Sequence, residues 1–257
     1  MQRAGAGPVV VPLVVPLVVA LLAPLTMPRP AAATECQPIS GGTEALAAIP
    51  AEKRLHWLDQ RLASGAARAR IWTWTWRAAY TGVTIAESVL AVVQEKPDDK
   101  AADIIGATSS AIGVIASFAL PLKVLADQKW WSKHYATSHD DVCSLLNTAE
   151  RLFIRGAESQ EFGVGPLVHV GTFAINIAGG LILGLGWNRW ANFAYSSLVG
   201  IGVGEIQIAT QPTDLVEDLR LYRAGELSER PNPPRLGIAL APMPLRDGAG
   251  AAFTLTW

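Results

Sequence analysis

The sequence is short of charge. Only 17% of its 257 residues are charged, its net charge is −1, and it has neither a basic tail nor an acidic run. Because nucleic-acid binding depends on clustered positive charge, this balance excludes nucleic acid as a partner. The hydrophobic content of 50% also excludes an intrinsically disordered chain.

Catalytic and metal-binding motifs are absent from the sequence. It contains no G-x-S-x-G, no phosphate-binding glycine loop with a lysine, no dinucleotide fingerprint, no C-x-x-C and no H-E-x-x-H. His139 and Cys143 lie one helical turn apart, but ligand types alone are weak evidence for a metal and a disulfide explains the cysteine better. We therefore predict that the protein is not an enzyme and holds neither a cofactor nor a metal.

The N-terminal segment has the three parts of a secretory signal. A positive start at Arg3 is followed by an apolar run over 9–25 and by the small residues Ala31 to Ala33. We expect a signal peptide over 1–33 that is cleaved after Ala33. The alternative is an uncleaved anchor, although three prolines interrupt the apolar run.

The chain has only two cysteines, Cys36 and Cys143. Export would place them in an oxidising compartment, where the one possible pairing is a disulfide that closes a loop of about 100 residues. The alternative is two unpaired thiols.

Long apolar stretches are the dominant feature of the rest of the sequence. Four of them have about the 20 residues that a membrane-spanning helix needs, and they cover 71–93, 104–122, 162–187 and 190–209. Polar turns at 95–100 and 187–190 join them in pairs. The predicted fold is mainly α: a four-helix integral membrane bundle over 71–210, built from two helical hairpins.

The remaining segments are predicted to lie outside the membrane. The segment 34–70 carries Leu55, Leu58 and Leu62 at helical spacing, which indicates an amphipathic helix that either packs on other helices or lies on an anionic membrane surface. The loop 123–161 contains one further helix. The segment 211–257 contains a short helix, a proline-rich linker and a C-terminal β-hairpin turning at 247–248.

Ionisable and polar residues inside the predicted spans are the candidate functional residues, because such groups are costly in lipid. They are Arg77, Glu87, Asp103, His169, Asn176 and Glu205. Counting along the helices places Arg77, His169 and Glu205 at one depth, which predicts an Arg77–Glu205 ion pair. Glu87 has no basic residue at its depth and is expected to be protonated at neutral pH.

Small residues follow one face of the second predicted span. Gly106, Ser110, Gly113 and Ser117 recur at spacings of four, three and four, which predicts a close contact between helices. Two further segments, 72–76 with three tryptophans and 204–213, have unusual compositions. The sequence identifies no family.

Orientation follows from the signal peptide, which places both the mature N-terminus and the C-terminus on the outer side. The lysines and arginines oppose this orientation, because the outer segments hold more of them than the inner loops. One explanation is an exported soluble helical domain with buried apolar helices.

The predicted role is a structural or interaction scaffold of a bacterial-type cell envelope, with the inner membrane favoured. Its expected partners are the lipid bilayer and envelope proteins. One alternative is a proton-linked carrier or channel that uses the intramembrane carboxylates, and another is the exported soluble domain.

Overall fold

The computed structural model describes residues 36–228, except residue 38, and the backbone of 237–245 and 248–256. The prediction of a mainly α-helical chain is confirmed. The helices are α1 Glu44–Ala47, α2 Ala51–Val93, α3 Pro97–Ala119, α4 Lys123–Thr137, α5 Val142–Gly163, α6 Pro166–Trp187, α7 Trp190–Ala209 and α8 Asp214–Ala224. Strands β1 (Gly237–Leu245) and β2 (Gly248–Thr256) run antiparallel. The predicted signal peptide over 1–33 lies outside the described residues.

Helix α2 is one continuous helix of 43 residues. The sequence predicts an amphipathic helix up to residue 70 and a span that begins at residue 71, and in the structure both segments lie in this one helix without a break. No proline interrupts the helix between Pro50, at its N-cap, and Pro97, which opens α3. The alanine-rich junction over 66–69 favours helix formation, so nothing ends the helix there.

The first half of α2 lies in a buried core together with α4, α5 and α8. Leu58 and Leu62 are fully buried and Leu55 is 4% exposed. This burial confirms the interpretation of the amphipathic segment as a packed helix. Trp57 stacks on Tyr222 at 5.5 Å between ring centroids and meets Phe153 edge-on at 5.8 Å.

Helix α4 is the element that sequence reasoning missed, since one helix was expected in the loop 123–161 and the structure has two. Its Trp131 is fully buried and donates a hydrogen bond from Nε1 to Asp59 Oδ1 at 2.8 Å. Only Val124, Asp127 and Trp131 of α4 are buried. So few inward residues give too weak a repeat to be recognised as a helix.

Helix α8 packs closely on α2 and α5 because two glycines leave room for Leu215. A Cβ at Gly65 would lie 2.8 Å from Leu215 Cδ2, and a Cβ at Gly156 would lie 3.0 Å from Leu215 Cδ1. Leu215 is fully buried. The short helix predicted within 211–257 is confirmed.

The second half of α2 and the helices α3, α6 and α7 form two antiparallel hairpins. The first hairpin consists of residues 71–93 of α2 with α3, and the second consists of α6 with α7. The second turns at Asn188, which adopts the left-handed conformation (φ 54°) that asparagine tolerates. Helix α3 also packs on α6.

Glycines allow the helices of each hairpin to approach closely. In the first hairpin Gly106 lies against Glu87, and a Cβ at Gly113 would lie 2.9 Å from the Tyr80 ring. In the second, Gly200 lies against the Asn176 side chain. The predicted role of the small-residue face of α3 as a helix contact is confirmed.

Neighbouring glycines of α7 provide a matched test of this packing. Gly200→Ala is expected to lower stability by about 1–3 kcal/mol, because the new Cβ would collide with Asn176. Gly202→Ala, where nothing lies within 4 Å, is expected to raise stability by about 0.5–1 kcal/mol through helix propensity. Chemical unfolding of the purified chain, followed by circular dichroism, measures both. Effects of the same sign would contradict the packing.

Candidate functional site

The structure pairs two of the predicted polar residues directly. His169 of α6 and Glu205 of α7 are 2.7 Å apart, between Nδ1 and Oε2, and both side chains are about one-third exposed. The sequence had placed these residues at one depth, and their contact agrees with that placement. The pair joins the two helices of the second hairpin.

The predicted Arg77–Glu205 ion pair is wrong. Arg77 Nη2 donates to the main-chain oxygen of Ser117 at 2.7 Å, in the last turn of α3. The guanidinium lies over the ring of Phe118, 3.8 Å from its centroid, and 5.5 Å from that of Trp74. A cation at a helix C-terminus interacts favourably with the unpaired carbonyl groups there. The partner of Arg77 is therefore the C-terminal end of α3 and not Glu205 of α7.

The other candidates are distributed between the two hairpins. Glu87 accepts a hydrogen bond at Oε2 from Ser110 Oγ at 3.3 Å, within the first hairpin. Asn176 Nδ2 donates to the main-chain oxygen of Thr172 at 2.8 Å, within α6. Asp103 Oδ2 is buried without a hydrogen-bond partner in the described part of the chain. The six residues therefore form no single cluster.

Aromatic side chains of α2 join the hairpins at one end, an arrangement that sequence reasoning missed. Trp72 Nε1 donates to the main-chain oxygen of Gln207 at 3.3 Å, and Trp76 Nε1 donates to Thr210 Oγ1 at 3.2 Å. Tyr80 donates to Gln207 Oε1 at 2.6 Å. Two signals in the sequence could have indicated this contact. They are the four-residue spacing of Trp72, Trp76 and Tyr80, and the unusual compositions of the segments 72–76 and 204–213.

Arg189 joins the hairpins at their other end. It lies 2.9 Å from Asp99 and 3.4 Å from Asp98 at the start of α3, and its Nε donates to Asn192 Oδ1 at 3.3 Å. These side chains are at least one-third exposed, so the ion pairs contribute little stability individually. Their position nevertheless ties the α6–α7 turn to the first hairpin.

A buried polar network lies in the core of α2, α5 and α8. Arg54, only 1% exposed, contacts Glu150 Oε1 through Nη2 at 2.5 Å and donates from Nε to the Tyr222 hydroxyl at 3.1 Å. Tyr222 donates in turn to Glu150 Oε1 at 2.5 Å. All three side chains thus satisfy one another away from water.

Burial shifts the pKa values of this network. Burial raises the pKa of the Glu150 carboxyl, although hydrogen bonds from Tyr222 and Arg54 oppose the shift. Burial also raises the pKa of the Tyr222 phenol, and neighbouring Glu150 adds to the increase. The phenol therefore stays protonated in the folded chain above the pH at which an exposed tyrosine ionises.

Alkaline pH is expected to weaken the core through Tyr222. Because the folded-state pKa is raised, the stabilisation is complete below about pH 10, the ordinary tyrosine pKa, and falls as pH rises above it. Urea midpoints measured from about pH 8 to about pH 11 should fall more steeply above about pH 10 in the parent than in Tyr222→Phe. Equal slopes would contradict the assignment.

The Cys36–Cys143 disulfide is present, as predicted, with 5.3 Å between the two Cα atoms. It ties the segment before α1 to the first turn of α5. Arg54 Nη1 lies 3.4 Å from the main-chain oxygen of Cys36, so the disulfide and the buried network share a contact. Within the described residues, no group of three or more His, Cys, Asp or Glu side chains could hold a metal.

An open cavity of about 440 Å³ lies between α4 and α5. Its lining residues are Asp127, Trp130, Thr148, Arg151, Leu152 and Arg155. Arg155 Nε donates to Asp127 Oδ2 at 2.8 Å. One acidic and two basic side chains therefore line this cavity, and none of the predicted polar candidates does.

Comparison of the chain with protein-family models, with curated proteins and with solved structures finds no match. Two stretches in the described part of the chain are long and apolar enough to cross a membrane. One lies within Pro97–Thr137, which comprises α3 and α4, and the other is Pro166–Trp187. The second half of α2, with Arg77 and Glu87, and α7, with Glu205, are not among them.

Proposed function

We propose that the protein is an integral membrane protein of the cell envelope that acts as a structural or interaction scaffold. Both hairpins would cross the membrane. The disulfide-bonded core, together with a C-terminal β-hairpin, would stand on the outer side and present surfaces to envelope proteins.

The distribution of exposed apolar side chains carries this proposal. Among the described residues, the exposed large hydrophobic side chains, apart from Trp130 and Tyr135, lie in 71–120 or 162–206. Every helix of the two hairpins contributes, including the second half of α2 and α7. In water such a surface would be unfavourable by roughly 25 cal/mol per Å² of apolar area, whereas lipid accommodates it.

The same observation disfavours an exported soluble domain. A soluble protein buries the apolar faces of its helices. Here no residue of the most apolar 18-residue stretch within Pro97–Thr137 is buried. In Pro166–Trp187 only 17% of the corresponding stretch is buried. The core residues of α2, α5 and α8 show that this chain does bury apolar side chains elsewhere. The exposed surface of the hairpins therefore suits a lipid environment.

The proposed scaffold role rests on the continuity of α2. A helix of 43 residues extends about 65 Å, enough to run through the core and across a bilayer without a joint. It would fix the position of the outer core relative to the membrane. A continuous helix that carries a folded outer core suits a protein that holds its partners at a fixed distance from the membrane.

Thiol labelling tests the orientation. Single cysteines replace Asp98, Asn188 or Ser228 while the native disulfide, whose sulfurs do not react with maleimide, is kept. In intact cells a membrane-impermeant maleimide should label the cysteine at position 228. It should label the cysteines at positions 98 and 188 only after the membrane is permeabilised. Labelling of position 98 or 188 in intact cells, or recovery of the chain in the aqueous fraction, would refute the proposal.

Removal of the tail tests the scaffold role. Deletion of 236–257 should remove specific cross-linked envelope proteins from the purified complex while membrane insertion, scored by the same labelling, stays unchanged. An identical set of cross-linked partners would count against a role of the tail in assembly.

A proton-linked carrier is the second candidate, and the His169–Glu205 contact at 2.7 Å favours it. Carboxylates and histidines within a membrane are typical of proton pathways. The expected result for a carrier is flux in proteoliposomes that falls in Glu205→Gln and in Glu87→Gln. Absence of flux, or equal flux in parent and variants, would eliminate this alternative.

A further inference from the structure

We propose that the outer end of the first hairpin binds the phosphate group of an anionic phospholipid. The binding surface consists of Arg70, Trp74 and Arg77 of α2 with Phe118 of α3, and we call it the arginine–tryptophan face. This inference rests on the membrane insertion proposed above, and it names a lipid partner for a defined surface.

Helix geometry puts the three α2 residues together. Their spacing of four and three residues places them on one side of the helix, and Arg70 and Arg77 are about 10 Å apart along its axis. Arg70 is exposed, and Trp74 and Phe118 are 60% and 58% exposed. Two cationic groups therefore flank an accessible indole.

Neither arginine of this face has a carboxylate partner in the described part of the chain. Elsewhere the arginines of the core are paired, as Arg54 is with Glu150, Arg68 with Asp214 and Arg155 with Asp127. Arg77 donates to a main-chain oxygen of α3, which satisfies a hydrogen bond but leaves the positive charge without a counterion. At a membrane interface such a charge attracts an anion.

The geometry of the guanidinium suits a phosphate. Arg77 is held over the Phe118 ring at 3.8 Å and bonded to Ser117, so the orientation of its guanidinium is fixed before a ligand arrives. Its Nε is buried and one Nη2 hydrogen is given to Ser117, so the remaining Nη hydrogens are the donors that would meet the phosphate oxygens. Arg70 can approach the same headgroup from the polar side, because long arginine side chains extend along the helix.

Exposed rings indicate that the anion belongs to a lipid. Trp74 and Phe118 lie beside the guanidinium of Arg77, where the acyl chains of a phospholipid would pack on them. Trp72 and Trp76 occupy the same level of α2, as expected for residues at a membrane interface. A free inorganic anion would gain nothing from the rings.

The test titrates the detergent-solubilised full chain with phosphatidylglycerol and, separately, with phosphatidylcholine, and measures the Kd of the first bound lipid by native mass spectrometry. The parent should prefer phosphatidylglycerol. Arg70→Gln and Arg77→Gln should each weaken that binding about fivefold and should weaken phosphatidylcholine binding less, because the choline cation of that lipid opposes the arginines. The matched controls Lys53→Gln and Lys129→Gln remove exposed charges elsewhere and should change neither lipid.

Three outcomes would overturn the proposal. They are equal affinity of the parent for both lipids, equal losses in the arginine and lysine variants, and an affinity of the parent for inorganic phosphate equal to that for phosphatidylglycerol. Because Arg77 also contacts α3, Arg70→Gln tests the face without that contact, and Arg77→Lys should retain much of the preference. A chain that fails to enter bilayers would refute the proposed function instead.

Discussion

Reduction of the Cys36–Cys143 disulfide is expected to lower the free energy of unfolding of the core by about 4 kcal/mol. The bond links residues 107 positions apart, and the chain-entropy model assigns roughly 4–5 kcal/mol to a loop of this length, with 2–5 kcal/mol typical for loss of a native disulfide. The loop includes α2, α3 and α4, so its closure restricts much of the unfolded chain.

Urea unfolding of the detergent-solubilised chain, followed by tryptophan fluorescence, measures this loss, since Trp57 and Trp131 lie in the core. The parent should shift to a lower urea midpoint when dithiothreitol is added. A Cys36→Ser, Cys143→Ser double variant should start at the lower midpoint and should not respond to dithiothreitol. A midpoint that is the same with and without reductant in the parent would contradict the prediction.

Glu150→Gln is expected to cost about 3–5 kcal/mol, because it leaves the buried positive charge of Arg54 without its carboxylate. The replacement keeps the size of the side chain, so a loss of packing cannot account for the effect. Tyr222 loses its charged acceptor as well. The same urea assay measures the change.

A triple variant separates the buried charge from the interaction itself. Arg54→Met, Glu150→Leu and Tyr222→Phe together replace the network by apolar groups, and stability should recover most of the loss seen in Glu150→Gln. If the triple variant is as unstable as Glu150→Gln, the penalty does not come from an unpaired charge. The surface substitution Lys53→Gln should leave the midpoint unchanged and serves as the control for altered net charge.

Predictions of local structure succeeded where the residues that determine an element lie within or next to that element in the sequence. The helix at 190–209 was predicted with the bounds that α7 has, because an aromatic turn precedes it and a polar segment with Pro212 follows it. The pairing of Cys36 with Cys143 followed from there being only two cysteines. The small-residue face of α3 also identified its contact correctly.

Predictions of side-chain contacts between different helices were less successful. Position along the axis placed Arg77 at the depth of Glu205, but depth contains no information on direction around the helix. In the structure Arg77 faces α3 and bonds to Ser117, while Glu205 faces His169. Helix α4 was missed because three buried residues, Val124, Asp127 and Trp131, form too short a pattern.

By itself the sequence determined the helical class, the apolar segments and the only possible disulfide, since each follows from composition or from spacing within one segment. The tertiary structure alone decided that α2 is continuous. It also decided that Trp72, Trp76 and Tyr80 meet Gln207 and Thr210, and that Arg54, Glu150 and Tyr222 share hydrogen bonds. These contacts join residues 72 or more positions apart. Their partners are selected by packing between helices, which no local pattern encodes.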